Sequence, residues 1–228
     1  MLSARTIVFD VNETLLDMSA LDPLFADAFG DKGVRRTWFA QTLQNAMAAT
    51  IAGTYQDFST MAAAALEMTG RKRGRAIDAE RTRRILRGMS ALPPHGDVVA
   101  GLEALRAAGF RLAVLTNGEE ALAEAQLRHA RIRDFFELVL SADSVRRFKP
   151  APEIYAMAAE RLRSAPSELL LVAAHDWDVA GAMRAGFEGA FVARHGTSLN
   201  PLEVRPTIVA PDINGVVEAI VGNATAVS

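Results

Sequence analysis

The sequence predicts an α/β protein: a doubly wound parallel sheet interrupted by a block of helices. Three observations lead there. A short apolar run, Thr6-Ile7-Val8-Phe9, reads as a strand and ends on Asp10. From Met18 to about Leu92 the apolar residues recur at helical spacing, with no convincing strand between them. After Pro93-Pro94 strand and helix patterns alternate along the rest of the chain, which is the pattern of a parallel sheet covered on both faces.

The first strand is followed at once by the turn-forming stretch Val11-Asn12-Glu13-Thr14, so one carboxylate, Asp10, is presented at a strand tip. In the helical block Leu21, Leu24, Phe25, Ala28 and Phe29 fall on one helical face. Trp38, Leu43, Met47 and Ile51 continue the pattern, and Phe58, Met61, Ala62 and Leu66 follow. Beyond Pro93-Pro94 a helix is expected around Val98 to Ala107, stopped by Gly109, then a strand from Arg111 to Leu115 and a helix from Glu119 to His129. A short strand from Leu138 to Ser141, a helix from about Pro152 to Leu162, a strand from Leu169 to Ala173 and a helix from about Asp178 to Ala185 come next. Ala190 to Ala193 and Thr207 to Val209 read as short strands before a closing helix near Ile213 to Ile220. Because the first strand joins this sheet, residues 1–15 and 94–228 are expected to form the core. Residues 16–93 are then an inserted helical cap, joined through linkers near Thr14 to Asp17 and Leu92 to Gly96.

Composition narrows the function. With 25 basic and 27 acidic residues in 228, a formal net charge of -2 recommends neither nucleic acid nor an anionic membrane as partner. The basic run Arg71-Lys72-Arg73-Gly74-Arg75, continued by Arg81, Arg83, Arg84 and Arg87, has no interleaved aromatics and reads as solvated helical surface. The absence of cysteine removes disulfides, thiol catalysis and cysteine metal sites together, and fits a reducing compartment. The N-terminus lacks the pattern of a secretory signal. No apolar stretch approaches the roughly 20 residues needed to cross a bilayer, since Leu169 to Ala174 is stopped by His175 and Asp176. The expectation is a cytoplasmic protein acting on a small molecule.

Ligands of an open parallel sheet bind where the strands' carboxyl ends face a crevice, and the chemistry-bearing residues fall there. Asp10 is a side chain able to form a covalent intermediate. Thr116-Asn117-Gly118 opens onto a helix N-terminus with free N–H groups, a setting that suits an anion. Lys149-Pro150 and Tyr155 follow the third expected strand, and His175-Asp176-Trp177-Asp178 the fourth. Each has a plain structural reading beside the chemical one: Thr116-Asn117-Gly118 as turn and cap, Lys149 as a solvated residue before a proline, Asp178 as an N-cap. Their succession at strand tips favours chemistry.

These residues resemble the haloacid dehalogenase superfamily, and within it most closely the L-2-haloacid dehalogenases. The similarity spans nearly the whole chain. Phe9-Asp10-Val11-Asn12-Glu13-Thr14-Leu15 is similar to the first motif and Leu115-Thr116-Asn117-Gly118 to the second. Phe148-Lys149-Pro150 through Tyr155 is similar to the third, and Trp177-Asp178 to the fourth. The helical insertion matches in place and length. The resemblance implies a Rossmann-like core, no cofactor, a homodimer and Asp10 as nucleophile. Asp10 would displace halide from a short 2-haloacid with inversion, and water would hydrolyse the resulting aspartyl ester. Lys149 is then expected to keep Asp10 ionised and Thr116 to hold nucleophile or substrate. Asn117, with Phe58 and Trp177 as an apolar wall, would stabilise the leaving halide. Asp178 would orient or activate the second-step water, and Tyr155 would order Lys149 or the substrate. Phe58 and Trp177 equally suit core packing.

Departures from the dehalogenase pattern matter. The cap arginine expected after Trp38 is Phe39, and Arg35 and Arg36 lie about one helical turn, or about 5 Å, away. This predicts weak turnover of a haloacid. Asn12 stands where the dehalogenases have tyrosine and the phosphatases a second aspartate. Ala173 and His175 replace serine and asparagine. His175 is expected to titrate near neutral pH and share the water activation, or to be satisfied beneath the site.

Two alternatives stay open. A magnesium phosphatase would need oxygen ligands for the metal, yet Asn12 removes its acid and base, and its metal aspartate falls at Ala174, with Asp176 the nearest carboxylate. A binding or regulatory protein with a weakened site is the other. The expected metal ligands are none.

Overall fold

The computed structural model describes residues 4–225; residues 1–3 and 226–228, at the outer ends of the expected core segments, lie outside it. Six strands form one parallel sheet: β1 (Thr6–Phe9), β2 (Arg111–Thr116), β3 (Leu138–Ser141), β4 (Leu169–Ala173), β5 (Glu188–Val192) and β6 (Ile208–Ala210). Their order is β3-β2-β1-β4-β5-β6. Strand residues are almost wholly buried, as parallel strands covered on both faces must be. The chain moves outward from β1 to β3 and then restarts at β4, on the other side of β1. The switch point therefore lies between β1 and β4, where ligands of such sheets bind. Asp10 caps that point, its N–H donating to the Val172 carbonyl at 3.1 Å.

Four helices separate β1 from β2 before the first core helix: α1 (Asp22–Phe29), α2 (Val34–Ala52), α3 (Phe58–Lys72) and α4 (Ala79–Gly88). No strand lies among them within the described residues. Their core is aromatic. Phe25 packs on Trp38 with ring centroids 5.1 Å apart, and the Trp38 indole N–H donates to the Ala62 carbonyl at 2.9 Å. Asp57 and Asp78 cap α3 and α4 by accepting from the N–H groups of Thr60 and Arg81. The basic run is ion-paired surface: Arg71 with Glu67, Arg73 with Asp31, Arg84 with Asp27. The two linkers hold one another, Asp17 N–H to Pro93 O at 2.8 Å and His95 N–H to Leu15 O at 2.9 Å.

The remaining helices are α5 (Val98–Ala107), α6 (Glu120–His129), α7 (Pro152–Leu162), α8 (Asp176–Arg184) and α9 (Ile213–Thr225). Some boundaries correct the expectation: β5 begins at Glu188 instead of Ala190, and α9 runs on to Thr225 instead of ending near Ile220. Helix α8 begins two residues early, because His175 is the extended N-cap residue. Asp178 therefore lies in the first turn, facing inward, and is not the cap. No helix of the described residues is long and apolar enough to cross a membrane.

Candidate active site

Both Asp10 oxygens are engaged. Oδ1 accepts from the Lys149 ammonium at 3.1 Å; Oδ2 accepts from the Thr14 hydroxyl at 2.8 Å and meets His175 Nδ1 at 3.1 Å. Burial alone would raise the Asp10 pKa, but Lys149, His175 and Thr14 together hold it well below the ordinary carboxylate range. Thr14 reaches back because the N–H groups of Leu15 and Leu16 both bond the Val11 carbonyl, curling the turn onto the strand tip. The same hydroxyl accepts from Ala174 N–H at 2.9 Å, tying the turn to the end of β4.

On one side the site is sealed. Lys149, far from solvated, is 1% exposed and reaches Asp178 Oδ2 at 2.6 Å. Burial opposes its charge, yet Asp10 and Asp178 outweigh it and raise the pKa. Asp178 is 0% exposed, and its Oδ1 accepts from the Tyr155 hydroxyl at 2.7 Å. Burial and the charge of Asp10 push the Asp178 pKa upward against Lys149 and Tyr155. Tyr155 thus orders Asp178 from the core, where its ring edge meets Phe187, instead of ordering Lys149 or reaching substrate. Asn117 Oδ1 accepts the Lys149 backbone N–H at 2.8 Å. Thr116 Oγ1 accepts from Gly118 N–H, which is turn chemistry; the hydroxyl on Asp10 is Thr14's.

The other side is open. His175 Nε2 meets Glu13 Oε2 at 3.2 Å, and Glu13 Oε1 accepts from Arg35, whose Nε also pairs with Asp22 at 2.6 Å. An alternating chain of charge results: Asp178, Lys149, Asp10, His175, Glu13, Arg35, Asp22. Burial disfavours the His175 cation more than any single contact favours it, but Asp10 and Glu13 together push its pKa up to about 10. The expectation of a histidine titrating near neutrality fails for that reason. Trp177 stacks on its ring at 5.0 Å and Phe39 lies at 6.1 Å. Glu13 occupies left-handed backbone, φ 64°, a conformation that costs a residue with a side chain of this size about 1–3 kcal/mol.

A cavity of about 600 Å³ adjoins this side, lined by Glu13, Phe39, Leu43, Arg35, Arg36 and Arg194 among others. That is an ordinary size for a small-molecule site. Phe58 instead packs on Phe148 and borders a void of about 20 Å³ behind Trp38 and Phe39. Asn12 Oδ1 accepts from Gln126 of α6. Asp176 borders a separate cavity with Leu199 and Val204. Among the described residues no three His, Cys, Asp or Glu side chains are grouped to hold a metal ion. The roles of Thr14 and Glu13 and the commitment of Arg35 are not visible in the sequence. A charged residue in a turn, where small residues are preferred, is the one available signal for Glu13.

The chain matches the haloacid dehalogenase-like hydrolase family over residues 4–186. It belongs to that family. (S)-2-haloacid dehalogenase 1 of Pseudomonas sp. (strain CBS-3) is 30% identical over 192 residues, covering 83% of this chain and 85% of that one. (S)-2-haloacid dehalogenase H-109 of Pseudomonas putida is 29% identical over 209 residues, covering 91% and 93%. The L-2-haloacid dehalogenase of Xanthobacter autotrophicus superposes with a TM-score of 0.90 at 25% identity, covering 96% and 99%. The same enzyme with chloropropionic acid covalently bound also superposes at 0.90.

Proposed function

We propose that this member of the family is a hydrolytic 2-haloacid dehalogenase with Asp10 as nucleophile. One observation supports this most: a carboxylate at the switch point, kept ionised by Lys149, Thr14 and His175. An Asp10 oxygen attacks the carbon bearing the halogen, the carbon–halogen bond breaks, and halide leaves with the bonding pair. An ester on Asp10 remains. A covalent step here accords with the bound chloropropionic acid of the Xanthobacter enzyme and with the haloacids in its relatives' names.

Lys149 holds the nucleophile, Asp178 holds Lys149, and Tyr155 and Asn117 fix that pair. Trp177 and Phe39 line the approach with His175 between them. The helical insert, residues 16–93, acts as a cap turning on the paired linkers and excludes water while the ester forms. Because Phe39 carries no charge and Arg35 is committed to Asp22 and Glu13, haloacid turnover should be slow. Assembly as a homodimer belongs to the same reading and is checked by sedimentation.

The test assays purified protein on 2-chloropropionate and on phosphate esters side by side, with Mg²⁺ and with excess EDTA, following halide and phosphate. Halide release insensitive to EDTA and abolished by Asp10→Asn is the expected result. Near wild-type activity of that variant would remove Asp10 from the mechanism, and Mg²⁺-dependent phosphate release would replace the reaction.

A further inference from the structure

We propose that Thr50, in the last turn of α2, is a positioning residue for Lys149: the helical insert fixes the peptide that leads into the lysine, so that Lys149 is seated against Asp10 only while the insert is docked. This role presupposes the reading of Asp10 as a nucleophile held by Lys149, and adds a part played from outside the core.

The ammonium is not the only group that holds Lys149 in place. Two consecutive backbone N–H groups lead into it, and each donates to a side chain from elsewhere in the fold. The Lys149 N–H donates to Asn117 Oδ1, in the turn after β2, at 2.8 Å, and the Phe148 N–H donates to Thr50 Oγ1 at 3.0 Å. One anchor thus belongs to the core and the other to the insert. The segment between α2 and α3 closes on the same stretch of chain. The Arg147 guanidinium donates to the Thr50 carbonyl, and the Tyr55 hydroxyl donates to Asp143 Oδ1. The Phe148 ring, fully buried, meets Tyr55 and Phe58 with centroids 5.1 and 5.9 Å away. Ser59 N–H reaches Glu119 Oε1 at 3.2 Å, just beyond the turn that carries Asn117. The insert therefore grips both turns whose mutual bond seats Lys149.

Thr50 can do this because of where α2 stops. The last carbonyls of a helix lack intrahelical partners, and here the N–H groups of Gly53 and Thr54 both turn back to Ala49, which leaves the Thr50 carbonyl free for Arg147. Its hydroxyl then falls to the next residue, Phe148. One peptide bond separates Phe148 from Lys149, so a shift of that peptide moves the ammonium relative to Asp10 Oδ1 and Asp178 Oδ2, now at 3.1 and 2.6 Å. A misplacement of about 1 Å in such a group can cost about 10²-fold in rate. When the insert swings on its linkers, as the cap reading requires, Phe148 loses its acceptor and two aromatic neighbours together. Closure over the substrate and seating of the cation then become one event.

Thr50→Val keeps the shape of the side chain and removes the acceptor, whereas Thr50→Ser keeps the acceptor. The first measurement needs no substrate. The chain has three lysines, Lys32, Lys72 and Lys149. Lys149 is 1% exposed, so formaldehyde and borohydride can methylate it only when its surroundings open. The exposed Lys32 and Lys72 serve as internal standards. Peptide mass spectrometry should find Lys149 methylated about 5- to 100-fold faster in Thr50→Val, the effect of one unpaired buried N–H on an opening equilibrium, and Thr50→Ser should restore protection. Urea unfolding of the same proteins separates local from global opening. An unchanged labelling rate, or an acceleration no greater than the change in the unfolding equilibrium, overturns the assignment.

The second measurement is halide release from 2-chloropropionate. Thr50→Val should lower kcat by about 10- to 100-fold while KM stays within about twofold, and Thr50→Ser should recover most of the loss. A raised KM at unchanged kcat would make the segment between α2 and α3 a substrate contact and overturn the positioning role. Absence of halide release from wild type and variants alike removes the haloacid reading, and the seating of Lys149 is then decided by the labelling.

Discussion

The two oxygens of Asp10 look onto opposite kinds of surroundings. Oδ1 faces Lys149, Asp178 and Tyr155, each at most 1% exposed and joined by direct bonds of 2.6 to 3.1 Å. Oδ2 faces His175 and, beyond it, Glu13, which borders a cavity of about 600 Å³ and meets an arginine from the helical insert. A sealed network fixes a charge, because any change in it leaves a buried ion without a partner. A network open to water on one edge can exchange a proton. Asp10 thus sits between a cation sealed in the core and one whose second partner reaches the cavity.

Breaking the sealed side should have the largest effect. Lys149→Met strands Asp10 and Asp178 together, and urea unfolding should register a loss of about 3 to 5 kcal/mol, with halide release gone. A loss under about 1 kcal/mol would mean that this side is no more committed than the other. Tyr155→Phe should cost less, about 1–3 kcal/mol for the missing partner of a buried carboxylate.

The open side should reveal itself through pH. The folded-state pKa of His175 is raised from 6.5 to about 10, so the stability it confers is fully present below pH 6.5 and is lost as pH climbs through 10. Asp10 has the opposite sign: its pKa is depressed, so its contribution is present above about pH 4 and is lost in acid. Between pH 7 and 10 the unfolding free energy should therefore fall by several kcal/mol at about 1.4 kcal/mol per pH unit, and His175→Asn should flatten that slope. An equally steep slope in the variant would place the titrating group elsewhere.

How far the sequence exposes this contrast follows from the range of the interactions. Strands β1, β2 and β4 are legible to within a residue, because strands buried on both faces are continuous apolar runs. Asp10, Lys149 and Asp178 are legible for a related reason, each following a strand whose end faces the crevice. The partners of Asp10 Oδ2 are not. Thr14 returns to the carboxylate only through the curl set by two bonds to the Val11 carbonyl, and Arg35 meets Glu13 only because α2 packs over that turn. The start of α8 is hidden in a similar way: Asp178 reads as an N-cap in sequence, and the buried ammonium of Lys149, distant in the chain, draws it inward.

The smallest effect should come from Arg36, on the cavity's rim. No ion pair or side-chain hydrogen bond holds its guanidinium among the described residues, and it lies over Gly196, where an added Cβ would come within 3.0 Å of Nη1. An exposed cation of this kind attracts an anionic substrate through a screened field, so its worth is about 1 kcal/mol or less. Arg36→Ala should raise the KM for a haloacid by about fivefold at most, leave kcat unchanged, and lose even that difference in 1 M salt, where the Debye length is about 3 Å. A kcat effect that survives high salt would put Arg36 against the reacting group, supplying the cation that Phe39 lacks, and the open side would then be more committed than its geometry indicates.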